Sequence, residues 1–291
     1  MGYYHGYKGY RYCSRPSSLL PYKDFNELQA VYNFDMQIKA ILYPQIMSLE
    51  TTLKNYVLEA VLSEAKSDKF SYIYSKLLTD YKSYPNGTKR KERIIKRLTL
   101  RDTIYGNISK SYGKNNIVNH YYDKDKLVPI WGIFELLTLG QFGSFVSCLN
   151  LSVRKRISNE VGIKSNVDSD GRMLEKIIYI LKDLRNAVAH NSTVFDTRFK
   201  TGNIDSRISK YINTEISISS VDFNSIVDYI ILISFLLKIL QYNENEITEF
   251  ICQFEKACEN LRNEIPIEIY SKIVYTNTKS KITAVKLFTQ K

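Results

Sequence analysis

Glycine and proline are scarce in this chain, and their scarcity restricts the fold. Of 291 residues, 12 are glycine and 6 are proline, too few for an architecture built from many short strands and tight turns. Periodic stretches rich in Leu, Ile and Lys predict an all-α fold of many helices. We find no internal repeat and no firm domain boundary. We therefore expect residues 1–291 to form a single all-helical domain, with an aromatic, basic segment at residues 1–22 and a basic tail at 277–291.

Cysteines and long apolar runs are also few. The four cysteines are Cys13, Cys148, Cys252 and Cys258. They show no zinc-finger spacing, which predicts free thiols in a reducing compartment. The strongest apolar run, residues 229–237, lies between Asp228 and Lys238 and is far shorter than the ~20 residues that span a bilayer. The N-terminal residues also lack the apolar core of a signal peptide. We expect a cytoplasmic protein that does not contact the membrane.

Positive charge is abundant. The formal net charge is +11 and the isoelectric point is about 9.2, which favours a polyanionic partner such as RNA. One predicted helix carries a dense group of cations, which we call the basic cluster. Its members are Lys89, Arg90, Arg93, Lys96 and Arg97. Two interpretations stay open for this cluster: a track for RNA phosphates, or an ordinary solvated helix face beside a narrow stripe of Ile94, Ile95 and Leu98.

The most informative stretch is residues 182–191. It ends a helical pattern that begins near Arg172 and carries an apolar stripe. The stripe consists of Leu174, Ile177, Ile178, Ile180, Leu181 and Leu184. Asn186 and His190 are four residues apart and share one face of the helix. Arg185 and His190 are roughly 140° apart around an ideal helix, so one regular helix does not direct both side chains at one atom.

Two interpretations fit these polar residues. Histidine titrates near neutral pH and arginine binds phosphate through a planar fork of donors. With no carboxylate cluster or Cys/His ligand set beside them, the group predicts phosphoryl chemistry without a metal or other cofactor. The alternative is a helix end capped by Asn191, with an exposed Arg185 and a His190 bonded to a backbone carbonyl. The spacing alone favours this alternative.

Three segments together resemble a known family. Arg185-Asn186-x-x-x-His190 resembles the motif of the HEPN superfamily. Tyr32-x-Phe34-Asp35 and Pro129-Ile130-Trp131 resemble the Y-x-F-D and P-I-W segments of the abortive-infection (Abi, AbiD/AbiF-like) family, and they stand in that family's order. The segments span residues 32–191. The chain departs from the usual pattern at Val188, where many members have cysteine, and at Asn191, where many have a second histidine.

The resemblance implies a HEPN-like helical domain with additional helices and a metal-independent endoribonuclease activity. The chain would then be a toxin-like effector in bacterial antiphage defence. RNA would be cut by attack of a ribose 2′-OH on the adjacent phosphate. His190 would serve as general acid/base, Arg185 would stabilise the phosphate, and Asn186 would orient one of them. The resemblance also implies a homodimer, in which His190 of each subunit lies near the two-fold axis.

Two other functions remain open. A non-catalytic RNA-binding protein would hold a structured small regulatory RNA, with Arg185 and His190 as binding groups. A phage-sensing protein would act through protein contacts alone.

The patterns also predict individual elements. We expect a long helix over residues 25–62 with a kink or break at Pro44, and another helix over residues 130–149 with Trp131 in the core and Glu135 as a buried hydrogen-bonding group. The remaining expectations are a helix at 68–81, polar connections at 115–126 and 191–219, a helix pair at 221–240 and 243–262, and a short helix at 266–276. His5 and His120 are expected outside the site.

Overall fold

A computed structural model describes residues 7–218 and 220–290. Within this part the chain forms thirteen α-helices and one 3-10 helix, Asp80–Ser83. The same residues contain no strand, only an isolated bridge between Tyr12 and Leu19. The predicted all-α fold is confirmed. The expectation for His5 concerns a residue outside the described part.

The α-helices are, in order, α1 (Phe25–Ala65), α2 (Phe70–Lys76), α3 (Thr88–Ser111), α4 (Asn116–Tyr122), α5 (Ile130–Leu136), α6 (Leu139–Cys148), α7 (Leu151–Glu160), α8 (Met173–Ala189), α9 (Ser206–Ile216), α10 (Ile226–Ile239), α11 (Glu244–Glu264), α12 (Ile267–Ile273) and α13 (Thr278–Thr289). None of these helices is long and apolar enough to cross a membrane.

The chain divides into two compact units. The first comprises Met1–Leu49 and Ile180–Lys291, and the second comprises Glu50–Tyr179. Both boundaries fall inside helices, within α1 and within α8. The single domain expected from the sequence stays a prediction.

Helix α10 forms the centre of the first unit. Its residues from Ile226 to Leu237 are all buried, because the helix is apolar on every side. It packs against α11 and α13. Asp228 is the charged residue in this buried stretch, and Lys281 of α13 donates a hydrogen bond to it at 2.7 Å. The predicted basic tail is therefore a packed helix, and Lys281 is buried.

An ion-pair network links elements of the second unit. Asp80 is buried and accepts hydrogen bonds from Arg154 at 2.5 Å and Arg172 at 2.8 Å. Arg154 also donates to the carbonyl of Leu149. A buried carboxylate needs such partners, since leaving it unpaired is costly. The network joins the 3-10 helix to α7 and to the residues before α8.

Several predicted boundaries were wrong because side-chain caps begin helices inside stretches that looked uniform. Thr138 and Gln141 form a capping box that starts α6, so residues 130–149 form two helices and not one. The predicted connection at 115–126 contains α4, capped by Asn115, and the one at 191–219 contains α9, capped by Asp205. The predicted helix at 68–81 is shorter and consists of α2 followed by the start of the 3-10 helix.

The predictions for Trp131, for Glu135 and for the apolar stripe of α3 were also wrong. Trp131 is 39% exposed and Glu135 is exposed, because they lie four residues apart on the outer face of α5, while Ile133 and Phe134 occupy the buried face. Helix α1 continues through the exposed Pro44, so it is not broken there, and the kink expected as the other possibility stays a prediction. In α3, Ile95 is 61% exposed, and the buried residues are Leu100, Ile104 and Ile108 instead of the predicted stripe.

Candidate functional site

Helix α8 carries the predicted motif at its C-terminal end. At the start of the helix, Asp168 Oδ1 accepts hydrogen bonds from the backbone N–H groups of Arg172 at 2.9 Å and Met173 at 3.0 Å. The predicted apolar stripe is buried along its whole length, from Leu174 to Leu184. This burial fixes which side of the helix faces the core, and so fixes the rotation of the motif about the helix axis.

Asn191 ends the helix in the left-handed conformation, with φ of 53°. Its N–H donates to the carbonyl of Val188 at 3.3 Å, and the N–H of Ser192 donates to that of Ala187 at 2.8 Å. This pair of bonds is a Schellman motif. Asn191 thus caps the helix, as the alternative interpretation of the motif expected. Its side chain is committed to the protein, because its Oδ1 accepts a hydrogen bond from Lys39 at 2.8 Å.

A groove of about 520 Å³ lies beside this helix end, and we call it the α8 groove. Asn186 and His190 both line it, and both are exposed. The four-residue spacing therefore places these two side chains on one surface. Arg185 is half-buried and is not among the residues of the groove. Arg185 therefore does not share the groove with His190, in agreement with their predicted angular separation around the helix.

The segment after the helix also lines the α8 groove. Thr193, Arg198 and Thr201 are among the lining residues. Thr201 is tied to the helix, because its Oγ1 donates to Asp183 Oδ2 at 2.7 Å and its N–H donates to the same oxygen at 3.1 Å. Lys182, which also lines the groove, forms an ion pair with Asp183 at 2.8 Å.

Arg198 supplies a cation that the motif itself did not reveal. Its Nε lies 2.8 Å from both carboxylate oxygens of Asp196, and its guanidinium carbon lies 4.2 Å from the ring centre of Tyr12. Burial lowers the pKa of Arg198, but the hydrogen bonds and charge of Asp196 outweigh burial and raise it. Arg198 is therefore a permanent positive charge in a fixed position. Its only sequence signal was proximity to the motif along the chain.

Asp35 of the Y-x-F-D segment holds the chain just after the motif. It is fully buried, and its Oδ1 accepts hydrogen bonds from the N–H groups of Val194 at 2.8 Å and Phe195 at 2.7 Å. Its Oδ2 accepts from the hydroxyl of Tyr10 at 2.6 Å and pairs with Lys39 at 2.7 Å. Burial, and then the charge of Asp35, raise the pKa of Tyr10, so this hydroxyl stays protonated.

Lys39 connects this carboxylate to the cap. The same ammonium bonds Asp35 and Asn191, so two predicted segments meet through a residue that sequence reasoning missed. The spacing of Asp35 and Lys39 by four residues on α1 was a usable sign of an ion pair. The bond to Asn191, 152 positions away, had no local sign.

The basic cluster lies on α3 in the second unit, and most of its cations contact neighbouring groups. Arg97 stacks on Tyr74 at 3.7 Å and donates to the Tyr74 carbonyl at 2.7 Å. Lys96 pairs with Glu175 at 3.4 Å. Arg90 and Arg93 lie 5.5 Å from the ring centres of Tyr81 and Tyr84, respectively. Lys89 is exposed at the start of the helix. Four of the five cations are thus held in place by tyrosines or a carboxylate.

Comparison with known protein families gives a match. A family model described as Abi-like protein matches residues 1–196. The matched region contains the Y-x-F-D, P-I-W and R-N-x-x-x-H segments. No curated protein matches the chain, and no solved structure matches it.

Proposed function

Because the chain belongs to the Abi-like protein family, we propose that it acts in abortive infection by cutting RNA in the α8 groove as a metal-independent endoribonuclease. One observation carries this proposal. The exposed side chains of Asn186 and His190 line a groove of about 520 Å³ at a helix end whose rotation and termination are both fixed. Fixed placement of a catalytic group is what general acid–base catalysis requires.

The chemistry proposed is transesterification within RNA. The ribose 2′-OH loses its proton and forms a bond to the adjacent phosphorus, while the bond from phosphorus to the 5′ oxygen breaks. The products are a 2′,3′-cyclic phosphate and a 5′-hydroxyl. His190 would accept the first proton or supply the one that the leaving oxygen needs. Asn186 would orient His190 or the phosphate. DNA lacks the nucleophile and should not be cut.

Positive charge near the phosphate would stabilise the transition state. Lys182 and Arg198 line the groove and are candidates for this role. Arg185, which the family resemblance assigns to it, lies outside the groove of its own chain. We propose that Arg185 contributes where two motif-bearing helices meet in a homodimer, since a second copy approaches the groove from another direction. Such a dimer would also supply the second histidine that acid and base catalysis together need.

The test compares His190→Ala with wild-type protein on RNA, in the presence of a chelator. We expect cleavage to fall by about 100-fold or more, which is a common cost of removing a general acid or base. RNA affinity should stay within roughly two-fold, since the variant keeps the lysine and arginine side chains that contribute most to phosphate binding. His120→Ala is the matched control, because His120 is also exposed but lies on α4. Cleavage that requires added metal, or equal cleavage of DNA, would refute the mechanism.

A second candidate is a non-catalytic protein that holds a structured small RNA. The role of Asn191 favours it. The residue stands where many family members have a second histidine, and it is committed to the helix cap and to Lys39. Under this alternative no cleavage is detected at any protein concentration. Arg185→Ala should then weaken RNA binding, and the presence or absence of cleavage that His190→Ala abolishes distinguishes the two functions.

A further inference from the structure

A second cavity lies far along the chain from the motif. It has a volume of about 530 Å³ and is formed by α11, α12 and α13. That volume falls within the range of small-molecule sites, roughly 300–1,000 Å³. All of its lining residues belong to the first unit, and all lie beyond residue 196, where the family match ends. It shares no lining residue with the α8 groove.

The interior of this cavity is mainly apolar. Phe254 and Ile282, each 1% exposed, and Val274, 7% exposed, line its depth. Ile267 and Tyr275 also line it, yet they are 53% and 40% exposed. Exposed apolar side chains beside a buried apolar lining favour a ligand with an apolar body, because its binding removes that surface from water.

A buried polar atom in the lining lacks a partner. Thr278 is 7% exposed, and its Oγ1 has no hydrogen-bond partner among the described residues. Leaving a buried hydroxyl unsatisfied is unfavourable, because the group has lost its hydrogen bonds to water without gaining others. A ligand carrying an N–H or an acceptor oxygen at this point would satisfy the hydroxyl.

The charges around the cavity favour an anion. Arg262 and Lys279 both line it and are exposed, and Arg262 is held over the Tyr270 ring at 5.6 Å. The lining contains two acidic residues, and one of them, Glu255, is already paired with Lys286. The charge of Glu259 is therefore outnumbered by the charges of the two cations. An arginine in a fixed position is well suited to a carboxylate, sulfonate or phosphate group.

We infer that the cavity between α11, α12 and α13 is a binding site for a small amphipathic organic anion. The aromatic or aliphatic body lies on Phe254, Val274 and Ile282. The polar linker bonds Thr278, and the anionic group binds Arg262. The inference does not rest on RNA cleavage.

Two dyes that differ in one group test this site. The first, 8-anilinonaphthalene-1-sulfonate, carries an aromatic body, an N–H and a sulfonate; the second, N-phenyl-1-naphthylamine, lacks only the sulfonate. Fluorescence titration should give one saturable site for the anionic dye. Arg262→Gln should weaken its binding about ten-fold, as expected for one charge-assisted contact, and should leave the neutral dye unaffected. Thr278→Val should weaken both dyes, because both carry the N–H.

Controls separate this cavity from other apolar surface. Lys256→Gln removes an exposed cation from α11 outside the cavity lining and should change neither dye. Val274→Trp should abolish both signals by filling the cavity, with unfolding and circular dichroism measured to confirm the fold. Arg262 is exposed, so its variant remains informative even if the tryptophan variant does not fold. Three outcomes would overturn the inference. The first is dye binding that neither Arg262→Gln nor Thr278→Val changes. The others are equal binding of the two dyes in every variant, and no saturable binding.

Discussion

At the scale of single residues, Lys39 connects two parts of the site, and its neighbours in the sequence do not reveal this role. Its buried ammonium is shared between Asp35 at 2.7 Å and Asn191 at 2.8 Å. Asp35 holds the backbone after the motif, and Asn191 caps the helix that carries His190. Removing the ammonium therefore disturbs both the stability of the first unit and the position of the proposed catalytic group.

We predict that Lys39→Met lowers the free energy of unfolding by about 3 kcal/mol, a usual cost of breaking a buried ion pair from one side. Cleavage should fall as well, with its pH dependence altered, because the residue after His190 loses its side-chain anchor. Urea unfolding and cleavage rates at several pH values provide the measurement. Arg156→Met is the control: its pair with Glu160 has the same four-residue spacing at 2.7 Å but is exposed, so its loss should cost far less than the loss of the buried pair. Equal losses in the two variants would contradict this role.

At the scale of helices, the buried pair between α10 and α13 makes stability depend on pH. Burial raises the pKa of Asp228 from 3.8 to about 6, even though the hydrogen bond and charge of Lys281 lower it. The folded state therefore keeps a proton that the unfolded chain has lost between these two values. The titration of Asp228 therefore lowers the free energy of unfolding as pH rises from about 4 to about 6.

Lys281→Met should therefore destabilise the protein more at pH 8 than at pH 5. At pH 8 the variant must either bury an unpaired carboxylate or protonate it, and we expect a loss of about 3–5 kcal/mol. At pH 5 the carboxyl group already carries its proton, so less is lost. Lys256→Met, at an exposed position on α11, should change stability by less than about 0.5 kcal/mol at either pH. Urea unfolding at both pH values gives the comparison, and a loss independent of pH would refute it.

The basic cluster on α3 gives a prediction for RNA binding. If it tracks phosphates, Lys89→Gln with Arg90→Gln should reduce the slope of log affinity against log salt by about 1.4, since each lost phosphate contact on a single strand contributes about 0.7. The charge-matched control is Lys256→Gln with Lys272→Gln, two exposed positions on α11 and α12. An equal change in both double variants would assign the effect to net charge and not to the cluster.

The helices also show what a sequence pattern can reveal. The stripe of α8 was predictable, because burial of one face imposes a helical period on its apolar residues. The split between α5 and α6 was missed, because the capping box of Thr138 and Gln141 lies within an apolar stretch. The other residues that line the groove with Asn186 and His190 were harder still to predict. Arg198 enters the site only through the path of a loop held by Asp35 and Asp196.

At the scale of the whole molecule, the angular separation of Arg185 and His190 leads to a prediction about assembly. The α8 groove contains His190 but not Arg185. Cleavage by 2′-OH attack needs a base for the nucleophile and an acid for the leaving oxygen. A symmetric dimer that brings two α8 ends together would provide two histidines and two arginines in one shared cleft.

Mixing wild-type protein with an excess of His190→Ala protein tests the shared cleft, after the subunits have been allowed to exchange. If both histidines act in one cleft, mixed dimers are impaired, and activity falls roughly as the square of the wild-type fraction because only wild-type dimers are fully active. If each subunit works alone, activity falls in direct proportion. Mixing with His120→Ala protein, which retains the motif, should leave activity unchanged and so controls for exchange itself. A proportional decline, or a fully active monomer in sedimentation, would refute the shared cleft while leaving His190 as the catalytic group of a single subunit.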